Sequence, residues 1–132
     1  MNTFIRYVAV LVPFAALDAF WVGFLASGFY AKHLAGVLDV SFSLAPAVAF
    51  YLVSSAALLA LVVAPALRMR SLRHAVFMGA VYGFASYATY DLTNAATVRG
   101  WPLAVTVADM AWGAVLCGAV SAIAYRVSSR SV

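Results

Sequence analysis

All four acids of this chain are aspartates, and three of them, Asp18, Asp91 and Asp109, lie inside long apolar runs. On insertion scales an Asp at the centre of a membrane helix costs about 2.5–3.5 kcal/mol. Three together approach about 8–10 kcal/mol before any pairing, so each is a functional candidate by default. Carboxylates in a dry site can share protons, because like charges resist ionising together. They can bind a cation or divalent metal through oxygen. They can also act as general acid and base on a lipid-soluble substrate. The competing reading is that polar groups hydrogen-bond across helices and pin them together.

The neighbours of the acids carry complementary chemistry. Tyr87, Asp91 and Asn94 fall at i, i+4 and i+7, on one helical face, with Tyr90 adjacent. Asp109 shares a face with Trp112 and Gly113, and Asp18 shares one with Phe14 and Trp21. The pattern D-x-x-W therefore occurs twice, but its flanks do not match and no internal repeat is claimed. The candidate catalytic set is Asp91, Asp109 and Asp18. The candidate substrate-binding set is Tyr87, Tyr90, Asn94, Trp21 and Trp112. No cofactor or metal is assigned.

The elements that position these residues follow from composition. Of 132 residues 67% are hydrophobic and 9% charged, and the mean hydropathy is +1.02. Ordinary soluble domains are roughly 45–50% apolar and about 25% charged. So short a chain cannot hide that much apolar surface in a soluble core. A soluble domain, a disordered chain and a nucleic-acid binder are excluded. The single cysteine, Cys117, rules out an internal disulfide. Four runs reach the roughly 20 residues that a bilayer core requires, at about 4–27, 44–67, 75–98 and 103–125. The expected fold is all-α: one integral membrane domain over residues 1–132, a polytopic four-helix bundle. Arg99-Gly100-Trp101-Pro102 makes a tight turn, so the third and fourth spans are expected to be antiparallel neighbours. Between the first two spans, Tyr30, Leu34 and Leu38 at spacing four suggest a short interfacial helix.

Six basic residues (Arg6, Arg68, Arg70, Arg73, Arg126 and Arg130) fall on one side, and Lys32 and Arg99 on the other. Positive flanks face the cytoplasm, so both termini are expected there. Asp18 is then ten residues before Gly28, Asp91 eight before Arg99, and Asp109 seven after Pro102. At about 1.5 Å per residue all three lie roughly 10–15 Å below the outer surface. One shared site in the outer half is expected, with at least one Asp protonated at neutral pH. Span two is expected on the far side. Gly79-x-x-x-Gly83 and Ala114-x-x-x-Gly118 suit close helix approach, within the chain or in a dimer. His33 and His74 sit at opposite membrane faces, and Trp101, Tyr125 and Tyr7 read as interface anchors. Pro13 is expected to kink the first span.

The segment from Tyr87 to Gly113 reads YATYDLTNAATVRGWPLAVTVADMAWG. With LDAFW at Leu17 to Trp21, it resembles the domain of unknown function 2177 family of small bacterial four-helix membrane proteins. The resemblance covers essentially the whole chain. It falls on Asp18, Trp21, Tyr90, Asp91, Thr93, Asn94, Gly100, Trp101, Pro102, Asp109, Trp112 and Gly113. It implies no established activity.

The expected function is therefore a multi-pass protein of the bacterial cytoplasmic (inner) membrane whose carboxylate site binds or modifies a lipid or other hydrophobic molecule. A proton-coupled small transporter and a non-catalytic accessory subunit are the alternatives. A transporter needs a polar track to the cytoplasm, and Ser54, Ser55, Ser86 and Ser121 make a thin one. Membrane lipids are the expected partners, a homodimer or membrane-complex partner is left open, and no nucleic acid is expected.

Overall fold

A computed structural model describes residues 2–37 and 43–130. Leu38, and with it the end of the expected interfacial helix, lies outside the described residues, as does Asp39. The described chain is all-α. Helix α1 (Thr3–Phe20) runs into a wider π turn at Trp21–Leu25, and α2 (Ser27–Leu34) follows. The next rod is α3 (Leu44–Leu58), a second π turn at Leu59–Val63, and α4 (Ala64–Met69). Two long helices complete the chain, α5 (Leu72–Thr97) and α6 (Leu103–Ser129).

The ends have local causes. Asn2 caps α1 by accepting the Ile5 N–H at 2.9 Å, and Ser71 caps α5 by accepting that of His74 at 3.0 Å. Those caps start both helices earlier than apolar content suggests. Helix α4 ends where Arg70 turns left-handed (φ 52°), and Gly100 (φ 80°) makes the turn before α6. Pro65 has no N–H to return to the turn before it, and the π turn at Leu59–Val63 lies there. Helix α6 continues past the expected end at Tyr125 to Ser129, because nothing in Arg126–Ser129 breaks a helix.

Three helices are long and apolar enough to cross a membrane: Thr3–Phe24, Leu44–Met69 and Leu103–Ser129. Helix α5 equals them in length, with 26 residues. It is more polar, carrying Ser86, Tyr87, Thr89, Tyr90, Asp91, Thr93 and Asn94 in its second half. Large apolar side chains are displayed outward on every long rod, among them Phe4, Val53, Phe77 and Leu103. That outward apolar surface suits lipid rather than water.

The core joins Val10 and Phe14 of α1, Leu58, Leu59, Val62 and Val63 of the second rod, and Leu116, Cys117 and Val120 of α6. Helix α5 joins through glycine. Gly79 and Gly83 are buried against α6, and a Cβ at Gly83 would overlap the Gly113 carbonyl. The Gly79-x-x-x-Gly83 stripe is thus spent on packing within the chain. The Tyr87 ring also lies against Gly113, beside the Gly83 carbonyl. This contact fixes the α5–α6 register one turn below Asp91 and Asp109.

Candidate functional site

Phe14 is the last core residue of α1, and Asp18 follows one turn later, 7% exposed. It accepts two hydrogen bonds, one on each oxygen. Tyr51 of α3 donates its hydroxyl to Oδ2 at 2.6 Å, and Trp112 of α6 donates Nε1–H to Oδ1 at 2.9 Å. Span two therefore takes part in the site, which corrects the expectation that it lies apart. The Tyr51 ring also packs edge-on against Phe14, with centroids 5.5 Å apart.

The other D-x-x-W is wired in reverse. Trp21 donates Nε1–H to the Tyr30 hydroxyl at 3.0 Å, and that hydroxyl donates to Oδ1 of Asp109. The two indoles stack at 4.5 Å with 7° between their planes. Each motif's Trp thus serves the other motif's Asp, Trp112 directly and Trp21 through Tyr30. Oppositely directed helices explain the exchange. A residue three positions after the Asp on one helix lies level with the Asp on the other. Tyr30 reaches the site because the π turn closes on the Ala26 N–H to Trp21 carbonyl bond at 2.8 Å, after which α2 restarts against α6. Single π turns recur at functional sites. Burial, then the hydrogen bond to Asp109, pushes the Tyr30 phenol well above its ordinary value, so it acts as donor.

Asp91 is wholly buried on α5, and neither of its oxygens receives a hydrogen bond from a side-chain or backbone donor. The Asp109 carboxyl of α6 is its acidic neighbour. Two neighbouring buried carboxyls resist ionising together.

A cavity of about 500 Å³ occupies the space between these elements. Asp18, Asp109, Trp21, Trp112, Tyr87 and Tyr90 all line it. Asp91 sits behind Asp109, outside the lining, and Asn94 lies one turn beyond Tyr90, half-buried and also outside it. Tyr90 and Val22 are 56% and 50% exposed, so two walls reach the outer surface of the protein. Among the described residues no three of His, Cys, Asp and Glu are arranged to hold a metal.

Four aromatic or polar lining residues escaped the sequence reading of the site. Tyr30 was visible only as part of an amphipathic spacing, and Trp101 only as an interface anchor. Trp101 donates to Thr106 Oγ1 at 3.0 Å and meets Tyr90 edge-on. Phe50 also lines the space, and so does Ser86, taken from sequence as part of a cytoplasmic track. Tyr51, the Asp18 partner, lies seven residues into its span, as Asp109 does after Pro102. The depth argument that finds the acids would have found it.

Helices built to cross a membrane, around an aromatic cavity edged with carboxyls, define an integral membrane protein with a buried polar site. Residues 3–126 match the family model described as "Predicted membrane protein (DUF2177)", and the chain belongs to that family. Neither the curated proteins nor the solved structures give a match.

Proposed function

We propose that this is a bacterial inner-membrane protein whose cavity binds the polar end of a lipid or other hydrophobic molecule in the outer half of the bilayer. The observation that carries the reading is the single 500 Å³ space that touches Asp18, Asp109 and the stacked Trp21 and Trp112. Its volume falls in the range of small-molecule sites, about 300–1,000 Å³. Its aromatic walls suit an apolar body, and its few carboxyls suit one polar end. The exposed Tyr90 and Val22 support entry from the side, out of the lipid.

In this reading α5 also crosses the membrane, as the third of four spans, its polar outer half turned to the site, in a four-helix bundle of one domain. Both termini face the cytoplasm. A reporter active only in the periplasm, fused after Val132, is expected to be silent.

Asp91 and Asp109 are the pair for proton transfer. Two neighbouring buried carboxyls hold one proton between them, because both cannot ionise unless a cation joins them. Tyr30 orients Asp109. Asp18, already holding two donors, fixes the floor of the site. Whether bound molecules are modified or only held, the binding step is the same.

The test is occupancy. Extracted in a mild neutral detergent, the protein is expected to carry a hydrophobic molecule detectable by mass spectrometry. Val105, 1% exposed, lines the cavity. Val105→Trp fills the space and should expel that molecule from protein that remains folded. Identical bound lipids in both proteins would count against the site.

A further inference from the structure

The site has acids but nothing to balance them. Its lining contains two carboxyls and, among the described residues, no Lys, Arg or His. Lys32 and Arg99, the basic residues expected on this side, are both exposed and neither lines the cavity. Behind Asp109 stands Asp91, wholly buried and without a donor. A buried carboxylate that receives no hydrogen bond is tolerated only when a cation or proton accompanies it. In the protein alone that partner is a proton.

The walls offer the other option. Tyr87, Tyr90, Trp101, Phe50 and the two stacked indoles present aromatic rings around the carboxyls. Aromatic faces attract cations, and the attraction strengthens away from water. An anionic headgroup would meet two carboxyls and no cationic side chain. A neutral molecule would leave the acids as they are. Only a cation gains from both the carboxyls and the rings.

We propose that the cavity receives a hydrophobic cation, an amine or quaternary ammonium on an apolar body, in exchange for the proton held between Asp91 and Asp109. This rests on the hydrophobic-site reading above and names its ligand class. The balance is simple. The cation enters, the pair releases its one proton to the outer water, and the two carboxylates then share the cation, whose charge takes the place of the proton's. No other bond forms or breaks. The titratable groups beside the pair are Tyr30 from α2 and Tyr87 and Tyr90 from α5, and across the cavity stands Asp18 from α1, with Tyr51 from α3 and Cys117 from α6 as its own neighbours. Apart from Asp18 these are phenols and a thiol, whose unperturbed values lie above pH 8. They supply no positive charge.

Tetraphenylphosphonium and tetraphenylborate have one shape and opposite charges, so together they test the proposal on the purified full chain in neutral detergent. The phosphonium should bind saturably, at least ~10-fold tighter than the borate, a difference of about 1.4 kcal/mol. Its affinity should rise as pH rises, by up to ~10-fold per unit, since one-for-one exchange lets protons compete directly. About one proton should appear per cation bound. Asp109→Asn and Asp91→Asn should each abolish the proton release. The unmodified protein alone is decisive, whatever the variants do to folding. Equal binding of the two ions, or phosphonium binding without pH dependence or proton release, would overturn the exchange but leave a hydrophobic site standing. Binding of neither ion, with bound lipid unaffected by Val105→Trp, would overturn both.

Discussion

Asp18 and Asp109 begin the same D-x-x-W pattern on two helices, yet their surroundings differ in one respect. Asp18 takes a phenol on one oxygen and an indole on the other, and its hydrogen-bonding needs are met. Asp109 takes a phenol on one oxygen, and beyond it stands Asp91, which takes nothing. The indole that would complete the second arm stops at Tyr30. One arm is therefore closed and the other is left with capacity to spare. A satisfied buried carboxylate holds helices together, whereas an unsatisfied one stores chemistry. Burial and residue type are alike in the two arms, so the hydrogen-bond partners decide which is which.

The largest expected effect comes from separating the arms mechanically. The Asp91–Asp109 contact depends on α5 against α6, while the Asp18 contacts join α1, α3 and α6. Gly83→Val places a side chain where the Gly113 carbonyl already lies. The helices must part, at or above the ~1–3 kcal/mol of ordinary overpacking. Gly118→Ala is the control, because the nearest atom to its new Cβ is the Val76 carbonyl oxygen at 3.3 Å. Thermal unfolding in detergent should rank Gly83→Val far below Gly118→Ala. Equal midpoints would mean that α5 is not held by this contact.

A middle-sized effect of opposite signs comes from removing one charge in each arm. Asp18→Asn keeps the Trp112 bond on its oxygen and makes the Tyr51 hydroxyl an acceptor, so two bonds to a carboxylate become neutral ones, and it should destabilise by about 1–2 kcal/mol. Asp91→Asn gives Asp109 a neutral donor in place of a like acid, so it should be neutral or stabilising, by up to ~1 kcal/mol. Unfolding midpoints of the two variants check the signs. Infrared spectra give a second reading. A carboxylic-acid band present above pH 7 should survive Asp18→Asn and disappear in Asp91→Asn with Asp109→Asn. Loss of the band with Asp18→Asn would reverse the roles of the arms.

Much of this was legible in the sequence because membrane insertion is unforgiving. Asp18, Asp91 and Asp109 stood out by cost, and the topology put them at one depth. Helix rotation was not legible, since spans that are apolar on every side give no inward face. That is why Asp91 could be grouped with Tyr87 and Asn94 by spacing although only Tyr87 reaches the cavity. The D-x-x-W exchange was hidden for another reason. It is a property of two antiparallel helices, and comparing flanks along the chain looks for a repeat that is not there. Tyr30 depended on a π turn that no sequence period marks.

The smallest effect probes the phenols, one in each arm. Tyr51→Phe removes a single donor from Asp18, which retains Trp112. Tyr30→Phe removes two bonds at once, because Tyr30 accepts from Trp21 as well as donating to Asp109. Interhelical hydrogen bonds in membrane proteins average only about 0.6 kcal/mol. The expected losses are therefore about 0.6 kcal/mol for Tyr51→Phe and about twice that for Tyr30→Phe. Stability alone separates these poorly, so the better measurement is a double-mutant cycle with each indole. Trp21→Phe and Tyr30→Phe should couple, since both break one chain of bonds, and the double variant should cost less than the two singles added. Trp21→Phe and Tyr51→Phe share no hydrogen bond and should come closer to adding. If Trp21 coupled to Tyr51 as strongly as to Tyr30, the stacked indoles would be joining the two arms into one unit, and the closed arm would then help set the proton affinity of the open one.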